Sequence, residues 1–329
     1  MPTKPSKPHD EFFKATFGRL DIALDYLQNM LPATLQQDLD LSKLERVNGS
    51  FVSPALQEYF SDVVYQSPLK IGKQSVVLSF IFEHKSKPEP RPHLQLLRYM
   101  LDAWTEQLHQ NNKKLNPIIP ILVYHGKQGW KKRDFDSYFG NKLPASILPF
   151  LPRFDYIFTH VTDMSDEQIL ELGTGLLINT FLMLKHIHDP DFIMQNAELI
   201  FINLTEPNSQ QDFIVLVLAY FYKNSQLAKE KIHRFIQKLP KTLNKTAMST
   251  YDMILAEGIK IGIEEERQRI EEEMRQLEEE SRQRVNKAIL YLYQIDQKTL
   301  EEIALILSKD LAYVETVISK SEEENIADN

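Results

Sequence analysis

The sequence contains no cysteine. Disulfide bonds, thiolate zinc sites and thiol nucleophiles are therefore excluded for these 329 residues. It also has no apolar run near the roughly 20 residues that cross a membrane as a helix, and nothing at its start resembles a signal peptide. These absences predict a cytoplasmic protein with no membrane partner. The apolar content of 43% is enough for a substantial hydrophobic core.

Basic residues are fewer than acidic ones, and the difference is confined to the C-terminal part of the chain. The formal net charge is −8. Residues 241–329 hold 12 Lys and Arg against 20 Asp and Glu, whereas residues 1–240 hold 26 of each. The acidity therefore belongs to the C-terminal part and leaves room for local basic patches before it. Lys113-Lys114 and Lys131-Lys132-Arg133 are candidates, with dispersed solvated lysines as an equally good interpretation.

A β-hairpin is predicted between residues 61 and 83. The run Ser75–Phe82 is rich in β-branched and aromatic residues, and the similar run Ser61–Tyr65 precedes it. Gly72 lies between the two runs and can supply the positive φ of a tight turn. Symmetry about Gly72–Lys73 predicts the register of the two strands.

Two carboxylates and a lysine lie in this hairpin. The symmetric register places Asp62 directly opposite Glu83, about 5 Å apart at Cβ, and strand alternation places Lys85 on the face of Glu83. Opposed carboxylates repel unless a cation lies between them. Oxygen ligands favour Mg²⁺, with Mn²⁺ or Ca²⁺ as alternatives. Asp62 and Glu83 are therefore candidate metal ligands, and Lys85 a candidate to orient or deprotonate a water that attacks a phosphodiester. Solvated charges that merely end a strand are the alternative.

An amphipathic helix is predicted after a link that contains three prolines. Apolar residues recur at helical spacing from His93 onwards. Gln95 and Tyr99 are four residues apart and so share a second face of this helix.

Asp62, Glu83-x-Lys85 and Gln95-x-x-x-Tyr99 together resemble the core of the PD-(D/E)XK nuclease superfamily in its RecB-like form. The resemblance implies that Asp62 and Glu83 hold Mg²⁺ and that Lys85 positions the attacking water. It also implies that Gln95 and Tyr99 support the metal site or the DNA strand.

A closer resemblance is to the Rpn family of bacterial recombination-promoting nucleases, whose members are also described as transposases. It is carried by the opening His9-Asp10 and by the segments SDVVY, IFEHKS, LLRYM and IPILVYHG, between about Pro8 and Asp166. It implies a restriction-endonuclease-like α/β fold with a mixed sheet flanked by helices, and DNA as the partner in a bacterial cytoplasm. Nucleases of this superfamily can place an acidic residue of the first helix near the metal, which makes Glu11 a candidate. A charge favoured by the helix dipole is the alternative for Glu11.

The chain divides into five predicted segments. They are a disordered N-terminus (1–8), the nuclease core (9–165), a helical subdomain packed on the core (166–240), a linker with a long charged helix (241–284), and a small helical unit with an acidic tail (285–329). Ile263, Ile270 and Leu277 recur every seven residues. A homodimer through the C-terminal helices and a single exposed helix are both compatible with this short repeat.

Two classes of function follow. The first is a Mg²⁺-dependent DNA endonuclease that promotes DNA recombination or mobility. The second is a catalytically silent module of the nuclease fold that binds DNA or protein. A transposase proper would require a third spaced carboxylate, and no position in the sequence indicates one.

Overall fold

A computed structural model gives the fold of residues 8–47, 61–72, 75–83, 88–109, 114–140, 143–172, 175–202, 204, 210–225 and 227–327. The chain separates into two compact units, Met1–Ile254 and Leu255–Asn329. Within the described ranges, no helix combines the length and the apolar character that crossing a bilayer requires.

A five-stranded mixed sheet forms the centre of the first unit. Its strands lie in the order in which they occur along the chain: β1 (Glu45–Arg46), β2 (Ser61–Pro68), β3 (Ser75–Glu83), β4 (Ile118–Tyr124) and β5 (Ile157–His160). The first three pair antiparallel, and β3, β4 and β5 pair parallel. The crossover from β3 to β4 contains the helix α4 (Pro92–His109), as the mixed α/β prediction requires.

The hairpin of β2 and β3 forms, but its predicted register is wrong by two residues. Asp62 lies opposite Ile81 and not opposite Glu83. The register differs because of the connection between the two strands, which begins after Pro68. In this connection Leu69 forms a β-bridge with Leu39, which lies outside the hairpin. This tertiary contact extends the connection and moves its centre, although Gly72 does adopt a positive φ of 94°.

Each face of the sheet is covered by helices. On one face, β2 to β4 pack against the first two helices and a later helical layer in one large core. The helices of this unit apart from α4 are α1 (Pro8–Phe17), α2 (Leu20–Met30), α3 (Ala33–Asp38), α5 (Asp166–Leu170), α6 (Gly175–His186), α7 (Pro190–Gln195), α8 (Ala197–Ile200), α9 (Gln211–Asn224) and α10 (Lys229–Lys238). The opposite face packs against α4 in a second, smaller core.

Helix α6 shows why the helical layer is buried. All nine residues from Leu176 to Leu184 are buried, so this helix is apolar on every side. Its two polar members donate hydrogen bonds within this layer: the Asn179 amide N–H to the Ile200 carbonyl at 2.6 Å and the Thr180 hydroxyl to the Leu176 carbonyl at 2.8 Å. Phe181 of α6 and Phe17 of α1 belong to the same core, which therefore joins the helical layer to the sheet.

The second unit is a small helical cluster. Its first helix, α11, begins in the first unit and runs without interruption from Lys241 to Gln294, so it includes the stretch that the sequence assigns to a linker. It is followed by α12 (Leu300–Leu307) and α13 (Leu311–Ala327). A core of Ile289, Ile303, Val314 and Ile318 holds the three helices together. A capping box of Thr299 and Glu302 begins α12.

Candidate active site

The predicted metal ligands lie at two positions of the hairpin that share one face. Asp62 pairs with Ile81, and Glu83 follows Ile81 by two residues on β3. A separation of two preserves the alternation of a strand, so positions 62 and 83 are diagonal neighbours, about 7 Å apart. The direct opposition predicted from the sequence is replaced by a diagonal on the same face.

This face is the one that α4 covers. Val64 and Val77, whose positions have the same parity as 62 and 83, pack with Tyr99 in the core beneath α4. The register therefore assigns the positions of Asp62, Glu83 and Tyr99 to one side of the sheet. Tyr99 itself is completely buried.

The side chains of Asp62 and Glu83 and the whole of Lys85 lie outside the described residues. Among the side chains that are described, no group of three His, Cys, Asp or Glu could hold a metal ion. The metal site and the catalytic lysine therefore stay predictions, supported by the backbone register of β2 and β3.

Gln95 lies on the first turns of α4 and is half-buried. Its amide donates a hydrogen bond of 2.8 Å to Oε2 of Glu89. The other oxygen of Glu89 accepts a hydrogen bond from the backbone N–H of Arg91 at 3.2 Å. Gln95 therefore fixes the proline-rich link Pro88–Pro92, which begins three residues after Lys85. No motif in the sequence indicates Glu89, whose place between two prolines is its sole sequence signal.

A row of three positions crosses the carboxyl edge of the sheet. Glu83 pairs with Tyr124, and Tyr124 pairs with His160. The His160 ring is buried, and its Nδ1 lies 2.6 Å from Oδ2 of Asp163. Gly126 lies so close to the Tyr124 ring that a Cβ at this position would collide with it. The edge next to Glu83 is therefore closely packed.

Three histidines from distant parts of the chain converge beside this edge. The rings of His125 and His188 stack in parallel with centroids 5.5 Å apart, and the ring of His9 lies 5.2 Å from that of His125. Nδ1 of His9 is 2.6 Å from the Tyr220 hydroxyl. Burial, followed by the positive charge of Lys127, holds the pKa of His188 below its usual value. This contact explains the His9 of the opening motif, because it ties the start of α1 to the end of β4.

Glu11 is not brought to the face of Asp62 and Glu83. Helix α1 packs on the opposite face, where the Tyr65 hydroxyl donates to the carbonyl of Phe17 at 2.8 Å. The Glu11 carboxylate lies 3.8 Å from Nζ of Lys223. The described contacts of Glu11 are thus those of a charge on the surface of α1, and a role near the metal stays a prediction.

Comparison with known proteins identifies the family of this chain. A family model described as "Putative transposase, YhgA-like" matches residues 7–213, which is more than half of the chain. The chain is 27% identical over 209 residues to the recombination-promoting nuclease RpnC of Escherichia coli K12, covering 61% of this chain and 65% of RpnC. It is 26% identical over 243 residues to the recombination-promoting nuclease RpnD of Escherichia coli O157:H7, covering 71% and 87%.

A third relative is an inactive recombination-promoting nuclease-like protein, RpnE of Escherichia coli K12. It is 25% identical over 195 residues, covering 57% of this chain and 61% of RpnE. The chain thus spans somewhat less than two thirds of RpnC and RpnE but most of RpnD. No solved structure matches the chain. The family match over residues 7–213 nevertheless shows that the chain belongs to the YhgA-like transposase family, the Rpn family of recombination-promoting nucleases.

Proposed function

We propose that this protein is a Mg²⁺-dependent DNA endonuclease that promotes DNA recombination. The observation that carries the proposal is the register of the hairpin, which assigns two acidic positions to one face of the sheet at the end of β3. Helix α4 lies over that face with Gln95 and Tyr99. The relatives named as recombination-promoting nucleases support a nuclease role independently.

Asp62 and Glu83 are the residues that would hold the ion. Carboxylate oxygens on neighbouring positions are the ligands that hard divalent cations prefer, so the donor set fits Mg²⁺. When bound, the ion supplies positive charge that polarises the scissile phosphate and makes a bound water more acidic. The sequence contains no cysteine, so no thiolate is available that would favour a softer metal.

Lys85 is the proposed general base. Its neutral amine would take a proton from water as the water oxygen forms a bond to phosphorus. The bond from phosphorus to the leaving sugar oxygen would break, and that oxygen would take a proton from solvent water. Gln95 contributes indirectly. Through Glu89 it fixes the link that begins after residue 87, and so restrains the chain on which Lys85 lies.

Plasmid nicking tests the proposal. We expect Mg²⁺-dependent nicking by the wild-type protein, and a loss of at least a hundredfold in Asp62→Asn, Glu83→Gln and Lys85→Gln. Glu45→Gln is the matched control, because Glu45 is an exposed acid on β1 and should leave nicking unchanged. Circular dichroism must show equal folding of all variants. Nicking that survives the three substitutions would assign the activity to other residues.

A catalytically silent protein of the same fold is the second candidate. It is favoured by the similarity to the inactive nuclease-like protein RpnE. The same assay separates the two, since a silent protein leaves the plasmid intact at every Mg²⁺ concentration while it retains binding to labelled DNA.

A further inference from the structure

A cavity of about 510 Å³ opens directly beside the candidate active site. One wall is the proline-rich link Pro88–Pro92, and the other is the loop that follows β4, from Gly129 to Tyr138. Its volume is in the range of sites that bind small ligands, about 300–1,000 Å³. No function considered above uses this cavity.

The cavity is connected to the end of β3 by direct contacts. Trp130 lines it and packs edge-on against the Tyr124 ring, with centroids 4.9 Å apart. Tyr124 is the residue of β4 that pairs with Glu83. On the other wall, Glu89 accepts the hydrogen bond from Gln95. The cavity therefore begins where the proposed catalytic strand ends, close enough to receive the neighbouring part of a bound strand.

Two cations are presented to this cavity by the loop after β4. Lys131 and Arg133 are exposed and line it. Lys132, which lies between them, points elsewhere: its Nζ donates to the Tyr156 carbonyl at 2.7 Å and contacts Asp155 at 2.5 Å. The anchoring of Lys132 fixes the loop so that its two neighbours face the cavity.

An aromatic ring completes the wall. The hydroxyl of Tyr138 lies 2.9 Å from Nδ1 of the buried His93, and the Tyr138 ring contacts those of His93 and Phe135. The ring is thereby held in place while one side remains accessible to the cavity. A fixed aromatic ring beside cations is the arrangement that binds unpaired nucleotides, by stacking on the base and neutralising the phosphate.

The two acids that line the cavity, Glu89 and Asp163, have partners behind its walls. The Glu89 carboxylate accepts hydrogen bonds from Gln95 and from the backbone of Arg91, and Asp163 contacts the His160 ring. Their charges still repel an anion, so we expect phosphate on the Lys131 and Arg133 side. The two acids and the two cations that line the cavity give it no net charge. Where an anion binds in the cavity therefore depends on the positions of these side chains.

We propose that this cavity receives an unpaired nucleotide of the substrate strand, with its phosphates on Lys131 and Arg133 and its base against Tyr138. The proposal rests on the proposed nuclease function and adds a substrate class to it, namely DNA that is single-stranded or locally unpaired beside the cleaved bond. Duplex without unpaired bases occupies only the phosphate contacts.

Fluorescence anisotropy with a fluorescein-labelled 12-nucleotide oligo(dT), in EDTA to prevent cleavage, tests this. We expect K131A/R133A to weaken binding about tenfold or more and to reduce the slope of log K against log salt by about 1.4, because each phosphate contact contributes about 0.7 for a single strand. Tyr138→Ala should weaken binding about fivefold to a hundredfold with no change in slope. Tyr138→Phe keeps the ring and its contacts with His93 and Phe135 but loses the hydroxyl, so it should weaken binding less than Tyr138→Ala does.

Lys229→Ala is the control for the loss of a positive charge, because Lys229 lies at the start of α10 and does not line the cavity. Wild-type protein that nicks plasmid and binds oligo(dT), while the cavity variants bind equally well, would overturn the cavity proposal and leave the nuclease intact. Loss of both single-strand and duplex binding in K131A/R133A with no effect of Tyr138→Ala would also overturn it, in favour of a simple electrostatic contact. Wild-type protein that neither binds nor nicks DNA would overturn the proposed function itself.

Discussion

Replacing Asp62 by Asn tests the metal site through stability and not through cleavage. Positions 62 and 83 are diagonal on one face of the hairpin, about 7 Å apart. Two ionised carboxylates at that distance repel by about 2 kcal/mol at an effective dielectric constant near 20. The positive charge of Lys85, two residues beyond Glu83, offsets part of this. We therefore expect Asp62→Asn to raise the free energy of unfolding by about 1 kcal/mol when no metal is present.

In Mg²⁺, the wild-type protein should become more stable than Asp62→Asn. A ligand at ten times its dissociation constant stabilises the folded state by about 1.4 kcal/mol. The wild-type protein should gain this amount, whereas the variant, with one ligand missing, should gain little. In a unit of this size the gain corresponds to a rise of about 3–6 °C in Tm.

The assay is urea unfolding followed by circular dichroism at pH 7.5 and low salt, first in EDTA and then in 10 mM MgCl₂, a concentration of about ten times a millimolar dissociation constant. Glu45→Gln, with the same change of charge on an exposed residue of β1, should alter the free energy of unfolding by less than about 0.5 kcal/mol in either buffer. A variant that is less stable than the wild type in EDTA, and that Mg²⁺ stabilises equally, would refute the reasoning from the register.

Two further predictions concern other parts of the chain. Burial opposes ionisation of Asp166, but hydrogen bonds from Lys185 and His186 outweigh it and lower the pKa of its carboxyl. A lowered acid pKa stabilises the fold above the ordinary value of 3.8, and this contribution is lost as the pH falls from there through the lowered pKa of the folded state. Asp166→Asn should therefore flatten the decline in unfolding free energy below about pH 4. In the second unit, Ile270 and Leu277 are half-exposed on α11. If they pair two copies, I270E/L277E should convert a dimer to a monomer by light scattering at unchanged helicity, and a monomeric wild type would contradict the pairing.

The sequence predicted the hairpin and the helix over it because their signals are local. Alternating and β-branched residues specify β2 and β3, and a glycine in the turn supplies its positive φ, as Gly72 does. Helical spacing from His93 specifies α4, but only the structure places Tyr99 in the core beneath this helix and leaves Leu94 and Leu101 exposed. The candidate set Asp62, Glu83 and Lys85 likewise came from residue types at strand spacing, and its chemistry stays a prediction.

The register could not be obtained in this way. It depends on the connection after Pro68, and that connection is shaped by the bridge from Leu69 to Leu39, a residue 30 positions earlier in the chain. Periodicity within a strand carries no information about such a partner. A shift of two residues leaves each strand position on the same face of the sheet. Asp62 and Glu83 were therefore predicted correctly to share a face, although they are not directly opposite each other.

The sequence by itself therefore determined these elements and the residue types that a nuclease centre requires, since each of these is encoded within a few neighbouring positions. Only the tertiary structure decided which distant groups meet. It stacked His125 on His188, joined His9 to Tyr220, and placed Lys131 and Tyr138 beside the end of β3. Those contacts depend on how sheet and helices pack, and packing arises from the whole core and not from any local pattern.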